Sequence, residues 1–172
     1  MFHDSRSLNN FFQNFEDYSS PLALGPRPVD LSFVIPVMNE EESLVELTRQ
    51  IVLHVPAGLE FEIIFIDDGS SDDSWQVIRA LSDVYGSQIR GFRFRSNLGK
   101  AAALQLGFDA AQGDYVFTMD GDLQDDPREI PRFLPKNGKG FDLVSGWKMV
   151  RHDPWNNVQL SRVCNRMLSY FS

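Results

Sequence analysis

The stretch Asp114-Tyr-Val-Phe-Thr-Met-Asp-Gly-Asp-Leu-Gln124 decides how this chain is read. Asp114–Met119 is a short apolar, β-favouring run and reads as a buried strand. It stops at Asp120 and Asp122, spaced i, i+2, with the Gln124 amide at i+4. A buried strand ending there sets these oxygens at the carboxyl edge of a sheet, where open α/β folds hold their ligands. Oxygen donors without thiol or imidazole suit Mg²⁺ or Mn²⁺ rather than zinc. A calcium loop starting at Asp120 needs Gly at its sixth position and Glu at its twelfth. Asp125 and Pro131 stand there, which excludes it. The plain structural alternative is an acidic turn that caps a helix beginning near Pro127 through Asp125 or Asp126.

Outward from this run, strands and helices alternate. Leu31–Val37, Phe61–Ile66 and Ile89–Phe94 read as strands. Between them Glu40–Leu53 reads as an amphipathic helix with Leu44, Leu47 and Ile51 inward, and a second helix runs to Tyr85. Lys100–Ala111 is Ala-rich and helical, with Gly113 expected as its C-cap. A strand Phe141–Ser145 and a helix Asn157–Phe171 complete the pattern. This alternation predicts an α/β fold with a mostly parallel sheet covered by helices on both faces. Residues 1–29 stand apart as a polar, Ser/Asn-rich arm, partly disordered or carrying a short helix with Leu8, Phe11, Phe12 and Phe15 on one face. Residues 30–172 form the expected catalytic domain. The last helix ends without a capping signal and reads as a truncated end.

The chain has 172 residues, long enough to bury a sizeable core as one domain. Its 24 acidic against 16 basic residues, a net charge of −8, argue against nucleic acid as a partner. From Trp147 onward the balance reverses: Lys148, Arg151, Arg162 and Arg166 face only Asp153. Cys164 has no second cysteine to pair with and reads as a small core residue. No secretory signal and no run of roughly 20 apolar residues is present, so a cytoplasmic location is expected.

A second acidic cluster, Asp67-Asp68-Gly69, ends the Phe61–Ile66 strand. Capping of the following helix accounts for Asp72 but not for two acids ahead of the glycine. The first strand likewise ends at Pro36-Val-Met-Asn-Glu40. Helix-dipole compensation is the plain reading for Glu40, yet three strand ends then carry oxygen acceptors.

Ser32-Phe-Val-Ile-Pro-Val-Met-Asn-Glu40, Ile66-Asp-Asp-Gly-Ser-Ser-Asp72, Asn97-Leu-Gly-Lys-Ala-Ala-Ala103 and Gly113–Gln124 together resemble family-2 glycosyltransferases. The likeness is nearest to the polyprenyl-phosphate branch, which includes dolichyl-phosphate mannose synthases and undecaprenyl-phosphate sugar transferases. The resemblance implies a GT-A (Rossmann-like) fold and a metal-dependent, inverting transfer from a nucleotide-diphosphate sugar to a polyprenyl phosphate. It implies that Pro36, Met38 and Glu40 line the nucleoside pocket and that Asp67 accepts a hydrogen bond from the base. Met38 departs from the aromatic residue common in mannose synthases. Asp120 and Gly121 would meet the nucleotide, Asp120, Asp122 and Lys148 would be catalytic, and Asp120, Asp122 and Gln124 would be ligands of Mg²⁺ or Mn²⁺. Lys148 falls where relatives often carry a phosphate-binding arginine, and Arg162 and Arg166 match acceptor-phosphate positions. The enzyme would then work at the cytoplasmic face of a membrane, reached through its basic C-terminal helix or through a further segment.

The chemistry agrees with that assignment. A departing diphosphate needs a cation to stabilise its charge. A lipid phosphate is already an oxyanion and needs no dedicated base, and His3, His54 and His152 all lie outside the motifs. Arg162 and Arg166, four apart, share one helix face; a solvated basic face is the alternative there. Two rival functions fit parts of the pattern: a receiver-like phosphoryl-transfer domain and a non-catalytic nucleotide-sugar binder. A receiver uses a single acceptor Asp and an acid pair on its first strand. This chain has Asp-x-Asp-x-Gln, and its first strand ends in Pro-Val-Met-Asn-Glu.

Overall fold

Unbroken apolar runs such as Ser32-Phe-Val-Ile-Pro-Val37 form strands that are buried on both faces, the pattern of a parallel sheet sandwiched between helices. The structure is a computed structural model and describes residues 28–134 in full and 15–19 by their backbone. The chain divides into two compact units, Met1–Leu134 and Pro135–Ser172. The expected strand Phe141–Ser145, the helix Asn157–Phe171, and Leu8, Phe11 and Phe12 lie outside the described residues, as do Lys148, Arg162 and Arg166.

The strands are β1 (Phe15–Ser19), β2 (Leu31–Val37), β3 (Phe61–Asp67), β4 (Ile89–Phe94) and β5 (Tyr115–Thr118). The helices are α1 (Leu44–His54), α2 (Ser74–Tyr85), α3 (Lys100–Ala110) and α4 (Ile130–Phe133), the last preceded by a 3₁₀ turn at Pro127–Glu129. The sheet order is β1-β4-β3-β2-β5. β2 runs parallel to β3 and β5, and β3 parallel to β4. β1 pairs antiparallel with β4, Phe15 opposite Phe94 and Ser19 opposite Arg90. Phe15 therefore belongs to a strand, not to the helix expected to include it. The open edge of β4 offers backbone partners that a short isolated helix lacks.

Alternation along the strands divides the core in two. Phe33, Ile35, Ile63, Phe65 and Ile89 face α1 and α2, meeting Leu44, Leu47, Ile51, Trp75 and Ile78. Val34, Ile64, Ile66, Phe92 and Phe94 face α3, meeting Ala103 and Leu106. Across the β2–β5 pair Phe33 stacks on Phe117 with ring centroids 5.2 Å apart, and Phe117 meets Phe133 of α4 edge-on at 6.5 Å.

Two more expectations differ from the structure. The Asp114–Met119 run is not a buried strand throughout, because Tyr115 and Val116 are 45% and 44% exposed. β5 occupies an edge of the sheet among the described residues, so its outer side has no neighbouring strand there. Gly113 is not a C-cap either. α3 ends at Ala110, with Ala111 already extended at φ −64, ψ 138. Gly113 is small because a Cβ would stand 2.7 Å from the Ser32 nitrogen. Its N–H donates to Ser32 Oγ at 2.8 Å, and Gln112 N–H donates to buried Glu62 Oε1 at 2.7 Å. Ser32 Oγ in turn donates to Glu62, and Arg90 reaches both Glu62 and the Ala110 carbonyl. This polar cluster under the sheet ties down the end of α3.

Candidate functional site

The chain steps from β2 outward to β3 and β4, then returns past β2 to form β5 on its other side. At such a reversal the connections leave the sheet in opposite directions, and a crevice opens at the carboxyl ends of the two strands. A crevice of about 170 Å³ lies there. Pro36, Val37, Met38 and Glu40 line it from the end of β2, and Asp120, Gly121 and Asp122 from the end of β5. Asp68 and Lys100 close it. The crevice thus brings together Pro36, Met38, Glu40, Asp120, Gly121 and Asp122.

The turn after β5 is held by its own side chains. Asp120 N–H donates to Asp125 Oδ2 at 2.8 Å, closing the loop. Asp122 accepts Gln124 N–H at 3.0 Å through Oδ1 and the Gln124 amide Nε2 at 2.7 Å through Oδ2. Leu123 takes a left-handed φ of 62° to make the turn. Asp126 caps the Pro127–Glu129 turn by accepting Arg128 N–H. Capping is therefore the work of Asp126, while Asp120 and Asp122 line the crevice.

Glu40 faces them from the β2 side. Burial pushes its pKa up; a hydrogen bond from Ser43 opposes this, and the charges of Asp122, Asp72 and Asp120 add to the rise. The field at this edge is negative and favours a cation. Lys100, the first residue of α3, sets its ammonium on Asp120 Oδ1. Asp120 and Asp122 are oxygen donors suited to Mg²⁺ or Mn²⁺; Gln124, expected as the third ligand, is not part of the crevice lining and sets its amide nitrogen on Asp122. Among the described residues no three His, Cys, Asp or Glu side chains form a cage for a metal. One or two carboxylates, with water and substrate phosphate completing the shell, is how Mg²⁺ is held in nucleotide enzymes, so the residues present fit such an ion.

The two loops behind the crevice are braced on one another. Asn39, at φ 58°, donates its N–H to Ser70 Oγ and accepts Ser71 N–H on Oδ1, at 2.9 Å each. Glu40 N–H donates to Ser74 Oγ at 2.8 Å, and Glu41 N–H to Asp72 Oδ2 at 3.2 Å. Glu41 answers by accepting Asp73 N–H at 2.7 Å. The Ser70-Ser-Asp-Asp-Ser74 run thus holds the backbone of Asn39, Glu40 and Glu41, and so aims Glu40.

The acidic pair after β3 divides its labour. Asp67 does not line the crevice; it is wholly buried. Its Oδ1 accepts Ser70 N–H at 2.8 Å, and Oδ2 lies 3.1 Å from Arg93 Nε. The Arg93 N–H is not aimed along that contact, so the pair is ionic rather than hydrogen-bonded. Asp68 does reach the crevice wall, accepting Leu98 N–H at 2.7 Å on Oδ1 and Gly99 N–H at 2.9 Å on Oδ2. The sequence motifs contain Asp68 and Lys100 but assign neither a role in the site. The available signal was a Gly-Lys pair opening a helix just after a strand.

Residues 32–171 match the family model for Glycosyl transferase family 2. Among solved structures, Staphylococcus aureus TarS 1-349 is similar at 22% identity with a TM-score of 0.52, the match covering 60% of this chain and 30% of that one. The mannosyltransferase PcManGT from Pyrobaculum calidifontis, in complex with GDP-Man and Mn²⁺, is similar at 19% identity and a TM-score of 0.50, covering 68% of this chain and 33% of that one. These are likenesses of fold, and the chain spans about a third of the length of either structure.

Proposed function

Because the chain belongs to glycosyl transferase family 2, we propose that it binds a nucleotide-diphosphate sugar in the crevice between the ends of β2 and β5 and passes the sugar, with inversion, to a polyprenyl phosphate. Its parallel four-strand core with helices on both faces is the GT-A, Rossmann-like fold. Family membership displaces the receiver-like reading. The observation that carries the proposal is the Asp120–Asp122 turn facing Glu40 across the point where the strand order reverses.

Each wall then has a task. Pro36 and Met38 offer apolar surface to the nucleoside, and Glu40 offers an acceptor at the crevice mouth. Asp120, Asp122 and Gln124 would hold a divalent ion, whose positive charge stabilises the departing diphosphate when bound. PcManGT, of the same fold, holds GDP-Man and Mn²⁺, ligands of the chemistry these oxygens suit. The polyprenyl-phosphate acceptor rests on the motif resemblance and on Lys148, Arg162 and Arg166. A phosphate nucleophile reacts without a base, and the arginines would pair with it through charge-assisted hydrogen bonds. Work at the cytoplasmic face of a membrane belongs to the same proposal. Among the described residues no helix is long and apolar enough to cross one.

Calorimetric titration with UDP and GDP, with and without Mn²⁺, tests the donor site. Metal-stimulated binding that Asp122→Ala abolishes, in a protein that still folds, is the expected result; affinity indifferent to both changes sinks the assignment. Transfer to polyprenyl phosphate tests the acceptor, with Arg162→Ala and Arg166→Ala expected to raise the acceptor requirement more than the donor requirement. Donor binding with no transfer to any acceptor returns the chain to a non-catalytic nucleotide-sugar binder.

A further inference from the structure

Lys100 stands where an incoming cation must come. Its ammonium rests on Asp120 Oδ1, one of the carboxylates assigned to the metal, while its side chain is 60% exposed. Its root, by contrast, is fixed. Gly99 takes φ 93° to turn the chain into α3, and Asp68 holds both the Leu98 and the Gly99 N–H. An anchored Cα with an exposed four-carbon stem lets the ammonium swing without moving the backbone.

We propose that Lys100 is a positioning residue that couples the divalent ion to the nucleotide diphosphate: its ammonium holds Asp120 until a diphosphate draws it off. The inference rests on the donor-binding reading above. An ammonium on Asp120 and a divalent ion on the same carboxylate lie within a few ångströms and repel one another. The ion alone therefore binds weakly. A diphosphate brings negative charge within reach of Lys100 and relieves that repulsion, so each ligand strengthens the other by the same factor. Asp68, by holding the start of α3, sets the pivot of this exchange.

The sign of the effect separates this role from a structural one. Loss of a merely structural lysine weakens or leaves unchanged the binding of metal, whereas removal of a competing cation tightens it. The test is Mn²⁺ titration of the 172-residue chain, followed by electron paramagnetic resonance, with and without UDP or GDP. In the wild type nucleotide should tighten Mn²⁺ binding tenfold or more. Lys100→Gln should bind Mn²⁺ alone about three- to tenfold more tightly, bind nucleotide less tightly, and lose most of the coupling. Lys100→Arg, which keeps the charge, should keep the coupling, with thermal melts showing both variants folded. Mn²⁺ affinity in Lys100→Gln that is unchanged or lower, in a protein whose wild type binds metal and nucleotide together, overturns the inference and leaves the donor site standing. A wild type that binds no nucleotide under any metal condition overturns both.

Discussion

The Asp68 carboxylate grips the backbone of Gly99, thirty-one residues further along the chain, at 2.9 Å, and takes the Leu98 N–H with its other oxygen. One side chain at the end of β3 thus fixes where α3 begins and where Lys100 projects. Asp68→Ala removes the acceptor for two amide groups. It should cost about 1–3 kcal/mol of stability and weaken nucleotide binding. Chemical denaturation gives the first quantity, and hydrogen exchange at Leu98 and Gly99 shows whether the loop has come loose. Unaltered exchange there would deny Asp68 its anchoring role.

Gly107 sits mid-helix, where propensity alone says that alanine stabilises by about 1 kcal/mol. The packing says otherwise. A Cβ at Gly107 would fall 2.2 Å from Val34 Cγ1 and 2.9 Å from Ile66 Cδ1, both in the sheet beneath α3. Overpacking of that kind costs about 1–3 kcal/mol, which outweighs the gain in propensity. Gly107→Ala should therefore lower the melting temperature by several degrees. A melt that rises would mean α3 can lift from the sheet without loss.

How far the sequence reveals this molecule depends on the range of each interaction. Leu44, Leu47 and Ile51 are fully buried on α1 as their spacing predicts, because helical periodicity is a local property. Asp120 and Asp122 reach the crevice because they follow a strand end. Lys100 pairs with Asp120 from twenty residues away, and Asp67 is buried through Arg93 and Ser70. Pattern reading cannot separate Asp67 from Asp68, since adjacent residues at a strand end differ only in the side of the sheet they take. The exposure of β5 is likewise a matter of sheet order, which apolar composition does not encode.

Asp72 links the loop after β3 to the one after β2, accepting Ser74 N–H at 3.0 Å and Glu41 N–H at 3.2 Å. Burial works against its charge, but hydrogen bonds from the Ser74 hydroxyl and from the backbone of Ser74 and Glu41 outweigh it and hold its pKa below the ordinary 3.8. A depressed carboxylate stabilises the fold above its unfolded pKa and loses that contribution as pH falls through the folded value. Asp72→Ala should cost about 1 kcal/mol at neutral pH, as loss of a partly exposed acceptor for backbone amides does. The gap between variant and wild type should persist at pH 5 and close only below 3.8. Thermal melts across that range decide it. A gap that closes between pH 5 and 7 would place the linkage on another group.

Leu123 holds φ 62° between two residues assigned to the cation, a conformation that costs an ordinary L-residue about 1–2 kcal/mol. It is 40% exposed, so its side chain packs only in part. Strain of this kind persists where the surroundings impose it, and here Asp125 on the Asp120 N–H and Asp122 on the Gln124 N–H close the turn from both sides. Leu123→Asn, which tolerates the left-handed region, should raise stability by about 1 kcal/mol while leaving Mn²⁺-dependent nucleotide binding intact. Leu123→Gly relieves the same strain but frees the unfolded chain and the turn itself, so its gain in stability should be smaller and its metal affinity lower. Comparing the two by melting temperature and by Mn²⁺ titration separates relief of strain from loss of order. Should Leu123→Asn prove less stable than wild type, the left-handed turn carries no strain and the leucine is held by packing after all.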